Sequence, residues 1–138
     1  AVEKFDAAYA KFNETLNKVN AEQSKKQIEK LKKDGKKGYA AAMESTLRLT
    51  TLVDNLEKAP QNADKAAVEK ELSEIEALLK SINNDRGQVL ADRYNSVVGD
   101  VRQVLADPSD NNLNNMIEGF NGYIDTYNST TPDQFDAK

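Results

Sequence analysis

The sequence DKAAVEKELSEIEALLKSI occupies residues 64–82 and carries a clear helical pattern. Its apolar residues recur at steps of four and three, which places them on one face of an α-helix. These residues are Val68, Leu72, Ile75, Leu79 and Ile82. The glutamates fall mostly on the opposite face, and they are Glu69, Glu71, Glu74 and Glu76. Asp64 stands just before the apolar stripe, where a carboxylate can cap the first free amides. The stretch therefore predicts a helix that begins near Asp64 and buries one face.

The same periodicity continues on both sides of this helix. A first helix is predicted from about residue 3 to residue 33, and a second from about residue 39 to residue 58. Two further stripes follow: Leu90, Tyr94, Val97, Val101, Val104 and Leu105, and then Leu113, Ile117, Phe120, Ile124 and Tyr127. Asp107 and Pro108 separate these two stripes. Asp107 is predicted to cap the last helix, with Pro108 in its first turn.

The chain is accordingly predicted to be all-α, an up-and-down antiparallel bundle of four to five helices. The number depends on whether the helices before and after Gly87 are continuous, and the polar residues 83–85 favour a break. Residues 1–128 are predicted to form a single bundle domain, and residues 129–138 a tail anchored by Phe135. Aromatic residues gathered near both ends of the chain also predict that the first helix packs against the last.

The 138 residues include neither cysteine nor histidine. This excludes disulfides, thiolate metal sites, histidine haem ligation and the common triads of nucleophilic catalysis. The sequence also has no run of 18 or more apolar residues, the length at which a transmembrane helix is considered. We therefore predict a non-enzymatic protein with no cofactor and no transmembrane segment.

The net charge of −4 is unevenly distributed. Residues 1–38 carry ten lysines against six acidic residues, a balance of +4, whereas residues 85–138 carry four basic against nine acidic residues, a balance of −5. The acidic total argues against nucleic-acid binding, which depends on neutralising phosphates. A basic and an acidic end can attract each other within one chain or between two copies, so a homodimer is one arrangement that this division allows.

A lysine cluster is the first candidate for a binding surface. It places seven lysines within residues 25–37, with Glu29 and Asp34 between them: Lys25, Lys26, Lys30, Lys32, Lys33, Lys36 and Lys37. Such a cluster can bind an acidic protein, anionic lipid or a wall polymer. The alternative is a solubilising helix end, whose cations suit the negative end of the helix dipole.

An aromatic group is the second candidate, because bundles often bind small molecules between their helices. Its members are Tyr9, Phe12, Tyr94, Phe120, Tyr123 and Tyr127. Buried tyrosine hydroxyls need polar partners, which leaves room for a polar-lined pocket. The alternative is that these residues form an ordinary hydrophobic core.

The sequence from Asp107 to Glu118 partly matches a calcium-binding loop, because several of its oxygen-bearing residues have the required spacing. Pro108 at the second position, Asn114 at a normally apolar position and the absence of a paired second loop count against calcium. Helix capping explains the same residues, so no metal site is predicted.

No motif in the sequence is specific enough to indicate a family. The leading hypothesis is an interaction module, secreted or associated with the cell envelope, that binds another protein or a cell-surface component. The location rests on the absence of cysteine and on a chain that starts at Ala1 rather than at methionine. The alternative is a small-ligand-binding bundle, such as the extracytoplasmic domain of a sensor.

Overall fold

The computed structural model describes residues 21–137. Within them the chain forms five α-helices and no β-strand: Ala21–Lys33 (α1), Lys37–Lys58 (α2), Lys65–Lys80 (α3), Asp85–Ala106 (α4) and Asp110–Ser129 (α5). Two short 3-10 helices, Pro60–Asn62 and Pro132–Asp136, lie in the connection between α2 and α3 and near the C-terminal end. The predicted all-α bundle is confirmed.

Each helix packs against the next one along the chain, and α2 also contacts α5, which closes the bundle. Short connections make consecutive helices antiparallel neighbours. The central helix is α2, which contacts the other four and the C-terminal 3-10 helix. Many of its buried residues are small, which lets the neighbouring backbones approach closely: Gly38, Ala40, Ala41, Ala42, Ser45, Thr46 and Thr50.

The apolar stripe of α3 lies in the core as predicted, with Ile75 fully buried and Leu79 only 1% exposed. Three of the glutamates of the same helix form ion pairs with neighbouring helices, while Glu76 pairs with Lys80 of α3 itself. Arg48 on α2 binds Glu71 and Glu74, and Arg102 on α4 binds Glu69. Because these side chains remain partly exposed, the pairs orient α3 between α2 and α4 more than they stabilise the fold.

Two of the predicted helix boundaries are confirmed by the capping geometry. Asp64 caps α3, since its Oδ1 accepts hydrogen bonds from the amides of Ala66 at 3.0 Å and Ala67 at 3.3 Å. The predicted break between α3 and α4 is also present. Asn84 caps α4 by accepting a hydrogen bond from the amide of Gly87 at 3.0 Å.

The preceding helix stops at Asp107 as predicted, but the predicted cap of the last helix by Asp107 is wrong. Ser109 caps α5 instead, with its hydroxyl accepting a hydrogen bond from the amide of Asn112 at 3.2 Å. Asp107 ends α4, and its carbonyl accepts a hydrogen bond from the Asn112 side chain at 2.9 Å. Pro108 therefore lies in the connection rather than in the first turn of α5. Ser109 directly precedes Asp110, the first residue of α5, so its hydroxyl reaches the free amides, whereas Asp107 stands three residues before the helix.

The start of the predicted first helix lies outside the described residues. The same is true of the prediction that this helix packs its N-terminal aromatic residues against the last helix. The described part, α1, ends at Lys33 as predicted. The second helix begins at Lys37, two residues before the predicted start.

Candidate interaction surface

The seven lysines of the predicted cluster lie along α1 and the turn that joins it to α2, and all of them are exposed. Five are on α1, Lys36 is in the connection, and Lys37 is the first residue of α2. Gly35 allows the tight reversal between the two helices, because its φ of 82° lies in the left-handed region that favours glycine. We refer to residues 25–37 as the lysine hairpin.

Apolar contacts hold the lysine hairpin against the rest of the bundle. Ile28 is only 4% exposed, and Leu31 is half-buried. Lys32 Nζ lies 3.6 Å from Glu44 Oε1 on α2, although 54% of the lysine side chain remains exposed. An exposed ion pair of this length contributes little. The sequence thus gives the hairpin an apolar inner face and a basic outer face.

A cleft of about 400 Å³ lies between α1 and α2 beside these lysines. It is lined by Lys25, Ile28, Glu29, Lys32, Glu44, Leu47 and Arg48. Both signs of charge surround an apolar floor, so the cleft itself does not select anions.

The C-terminal residues 131–137, which we call the strap, lie against the end of α2 that adjoins the lysine hairpin. Lys36 occupies the N-cap position of α2 and makes no capping hydrogen bond with its side chain. The strap supplies this cap: the Asp136 carboxylate accepts hydrogen bonds from the amides of Gly38 at 2.7 Å and Tyr39 at 3.1 Å. A carboxylate is favoured there by the free amides and by the positive end of the helix dipole.

The strap is held by two more interactions. Phe135 is only 2% exposed, and its ring stacks between Tyr39, with centroids 6.1 Å apart, and Tyr127, at 6.0 Å. The side-chain nitrogen of Asn84 donates hydrogen bonds to the carbonyls of Gln134, Phe135 and Ala137, at 3.0 to 3.1 Å. Phe135 is an anchor, as predicted, but the side chains of Asp136 and Asn84 anchor the segment as well.

Asp136 and the second role of Asn84 are not apparent from the sequence, because their partners are remote along the chain. Asp136 lies 98 residues from Gly38. One local signal was available. The residues before Tyr39 read KKG, without the serine, threonine, aspartate or asparagine that usually caps a helix. A helix start without a local cap requires a partner from elsewhere in the chain.

The aromatic candidate residues that the structure describes lie in two places. Tyr94, Phe120 and Tyr123 are buried in the core, and Phe120 stacks on Tyr123 with ring centroids 6.4 Å apart. Tyr127 is half-buried beneath Phe135 of the strap. Tyr9 and Phe12, the remaining members, lie outside the described residues.

The hydroxyl groups of the two fully buried tyrosines bind the protein itself. Tyr94 donates a hydrogen bond to the carbonyl of Leu72, and the Tyr123 hydroxyl lies 2.9 Å from Thr46 Oγ1. Burial raises the pKa of Tyr94 and of Tyr123 above the usual value, so both remain neutral at physiological pH. A ligand pocket at these residues stays a prediction.

A further cleft, of about 450 Å³, lies at the other end of α2, beside the start of α3. Its lining is largely apolar and includes Leu52, Leu56, Ala63, Ala67 and Val68. None of the predicted site residues lines this cleft.

Residues 21–137 contain no group of three or more acidic, histidine or cysteine side chains placed to hold a metal ion. None of the helices in this part of the chain is long and apolar enough to cross a membrane. Comparisons of the chain with protein-family models, curated proteins and solved structures gave no significant match.

Proposed function

We propose that this chain is a non-enzymatic interaction module that binds an acidic protein partner through the lysine hairpin. The observation that carries the proposal is the exposure of all seven lysines of the lysine hairpin. Lysine side chains lose considerable rotamer entropy when they are ordered, so an exposed cluster has little stabilising value of its own. Its accumulated charge acts instead on molecules approaching from solution.

The contrast with the rest of the chain supports this proposal. Residues 25–37 carry seven lysines against two acidic residues, although the whole chain has a net charge of −4. A basic end on an otherwise acidic protein orients an acidic partner toward that end and repels it elsewhere. Such complementarity increases the association rate and the selectivity of binding, and it weakens as salt is added.

An acidic protein fits this surface better than nucleic acid does. The hairpin contains no arginine and no aromatic residue between its lysines, and these residues normally bind phosphates and stack on bases. The head of α2 next to Lys36 and Lys37 already accommodates a carboxylate, that of Asp136. Carboxylates are the anions of acidic protein segments, so the observed contact matches the proposed partner.

The proposal is tested with two matched quadruple variants and a fluorescent oligoglutamate peptide as the probe. The first replaces Lys30, Lys33, Lys36 and Lys37 by glutamine; the second replaces Lys58, Lys65, Lys70 and Lys80. All eight side chains are exposed, and both variants remove four positive charges. Fluorescence anisotropy at low salt should show roughly tenfold weaker binding, or about 1.4 kcal/mol, for the first variant only.

Equal losses in the two variants would show that net charge matters and the position of the lysines does not. Wild-type protein that fails to bind oligoglutamate but binds anionic vesicles would point to a lipid surface as the partner. Either result would contradict the proposed function.

A further inference from the structure

The strap is bound by the body of the protein in the manner of a peptide ligand. Its aromatic ring enters a slot between Tyr39 and Tyr127, and its carboxylate binds the free amides at the start of α2. Its backbone carbonyls bind the side-chain nitrogen of Asn84. The protein thus recognises an aromatic ring, a carboxylate and the backbone of the strap. Peptide-binding sites recognise their ligands through the same kinds of group.

This binding site adjoins the lysine hairpin. Lys36 and Lys37 immediately precede Gly38 and Tyr39, whose amides hold the Asp136 carboxylate, and both lysines are exposed. The site under the strap therefore continues the basic surface into a slot that accepts an aromatic side chain. An acidic segment bound along the hairpin would reach the strap site without leaving the protein surface.

The strap has the properties of a segment that can leave its site. It follows the last helix, its only regular structure is the five-residue 3-10 helix Pro132–Asp136, and residues 131–133 are exposed. A segment whose regular structure is one short 3-10 helix and whose first three residues are exposed can open locally while the five described helices stay folded. The strap itself contains two acidic residues, Asp133 and Asp136, and the Asp136 carboxylate lies at the amides that directly follow Lys36 and Lys37.

We propose that the strap is a displaceable internal ligand, and that the acidic partner carries an aromatic residue followed by an acidic one, which takes the place of Phe135 and Asp136. The inference rests on the proposed function, because it assigns a sequence class to the same partner. The strap then restricts binding to partners that supply both the acidic segment and the aromatic–acidic pair.

Gly38 provides a precise way to block the strap site. A Cβ atom at this position would lie 2.0 Å from the carbonyl oxygen of Phe135 and 2.9 Å from Asp136 Oδ1. Gly38→Ala therefore prevents the strap, or a peptide with the same backbone path, from binding. Alanine favours the helix itself. Gly99→Ala is the matched control, because a Cβ atom there meets nothing within 4 Å in α4.

The test uses the full chain and a fluorescent peptide with the sequence of residues 129–138, STTPDQFDAK. In wild-type protein the internal strap competes at high effective concentration, so the peptide should bind weakly. The double variant Phe135→Ala/Asp136→Asn weakens only the internal copy, and it should bind the peptide at least tenfold more tightly. Adding Gly38→Ala should abolish this gain, whereas adding Gly99→Ala should preserve it.

A second measurement concerns the partner sequence and does not depend on the double variant. An oligoglutamate peptide containing one Phe-Asp pair is added to wild-type protein, and the NMR signals of Phe135 and Asp136 are followed. We expect these signals to move to positions typical of a flexible chain. Oligoglutamate of equal length and charge, with alanine in place of phenylalanine, should leave them unchanged.

The inference is overturned if the double variant binds the strap peptide no better than wild-type protein does, or if Gly38→Ala has no effect on that binding. It is also overturned if the two oligoglutamate peptides act alike on the strap signals. The lysine variants test the proposed function independently of the strap, since the oligoglutamate probe used with them contains no aromatic residue. If the hairpin variant loses oligoglutamate binding but the strap experiments fail, the proposed function is supported and the displaceable strap is rejected.

Discussion

Asn84 donates a hydrogen bond from its side-chain nitrogen to the carbonyl of Phe135, 51 residues later, at 3.0 Å. The oxygen of the same amide accepts a hydrogen bond from the amide of Gly87 and so caps α4. One side chain thus begins a helix and also holds the strap. The amide does both at once, because its oxygen accepts the hydrogen bond of the cap while its nitrogen donates to the strap carbonyls.

The two roles of Asn84 can be separated by substitution. Asn84→Asp keeps an effective cap for α4 but turns acceptor oxygens toward the strap carbonyls, so the strap should detach. Asn84→Ala should lose both interactions and unfold more easily than Asn84→Asp by about 1 kcal/mol, the typical value of a cap. Urea unfolding measures this difference, and amide exchange at Gly38 and Tyr39 reports release of the strap in both variants.

Asn83→Asp serves as the control, because it introduces the same charge at the neighbouring, exposed position. It should leave the Gly38 and Tyr39 amides protected. Persistent protection of those amides in Asn84→Asp would show that the hydrogen bonds from Asn84 do not hold the strap.

The buried pair Thr46 and Tyr123 should respond asymmetrically to mutation. The Thr46 hydroxyl donates its single proton to the carbonyl of Ala42 at 2.8 Å, so the Tyr123 hydroxyl is the donor in the bond between them. Thr46→Val removes the acceptor of a fully buried hydroxyl, at a cost of about 1–3 kcal/mol. Tyr123→Phe leaves Thr46 bonded to Ala42 and should cost only about 0.5–1.5 kcal/mol.

Chemical denaturation of both variants checks the order of these costs. Thr51→Val is the matched control, because Thr51 makes the corresponding backbone hydrogen bond on the same helix but is exposed. Its effect should stay within about 0.5 kcal/mol. A larger loss of stability for Tyr123→Phe than for Thr46→Val would refute the assigned direction of the hydrogen bond.

The features that could be predicted from the sequence are those encoded by neighbouring residues. The stripe from Val68 to Ile82 repeats with the helical period, and Asp64 caps the amides just after it, so both follow from local physics. The lysine hairpin is likewise visible as a run of charge. At the start of α5 the apolar stripe begins only at Leu113, so periodicity did not fix the first helical residue, and Asp107 was predicted as the cap that Ser109 in fact provides.

The strap illustrates what the sequence could not provide. The bond between Asp136 and Gly38 forms only after the five described helices bring the two ends of this region together. No pattern near Asp136 distinguishes it from other acidic residues of the C-terminal half. The location of Tyr94 in the core could be predicted from its stripe, whereas Tyr123 lies outside the predicted stripe of its helix. The partners of both hydroxyls depend on how neighbouring helices are aligned.

Asp100 should make stability depend on pH. This half-buried side chain of α4 faces α5, with its Oδ2 only 2.6 Å from where a Cβ atom on Gly119 would lie. Burial raises the pKa of Asp100, and the negative charge of Glu118 raises it further. Below the unfolded pKa, near 4, both states are protonated and no cost arises. As the pH rises from there through the folded pKa, the unfolded chain gives up this proton more readily than the folded protein does. The stability of the folded state therefore falls.

Asp100→Asn should remove this cost and stabilise the protein at pH 7, by no more than about 1 kcal/mol because solvent screens a half-exposed group. Thermal unfolding at pH 7 and pH 3 tests this, and the advantage of the variant should disappear at the lower pH. Asp92→Asn on the exposed face of α4 is the control, and it should not reproduce the gain at pH 7. A variant at Asp100 that is less stable than wild-type protein at pH 7 would mean that the ionised carboxylate is favoured in the folded state, the opposite of the sign argued from its burial.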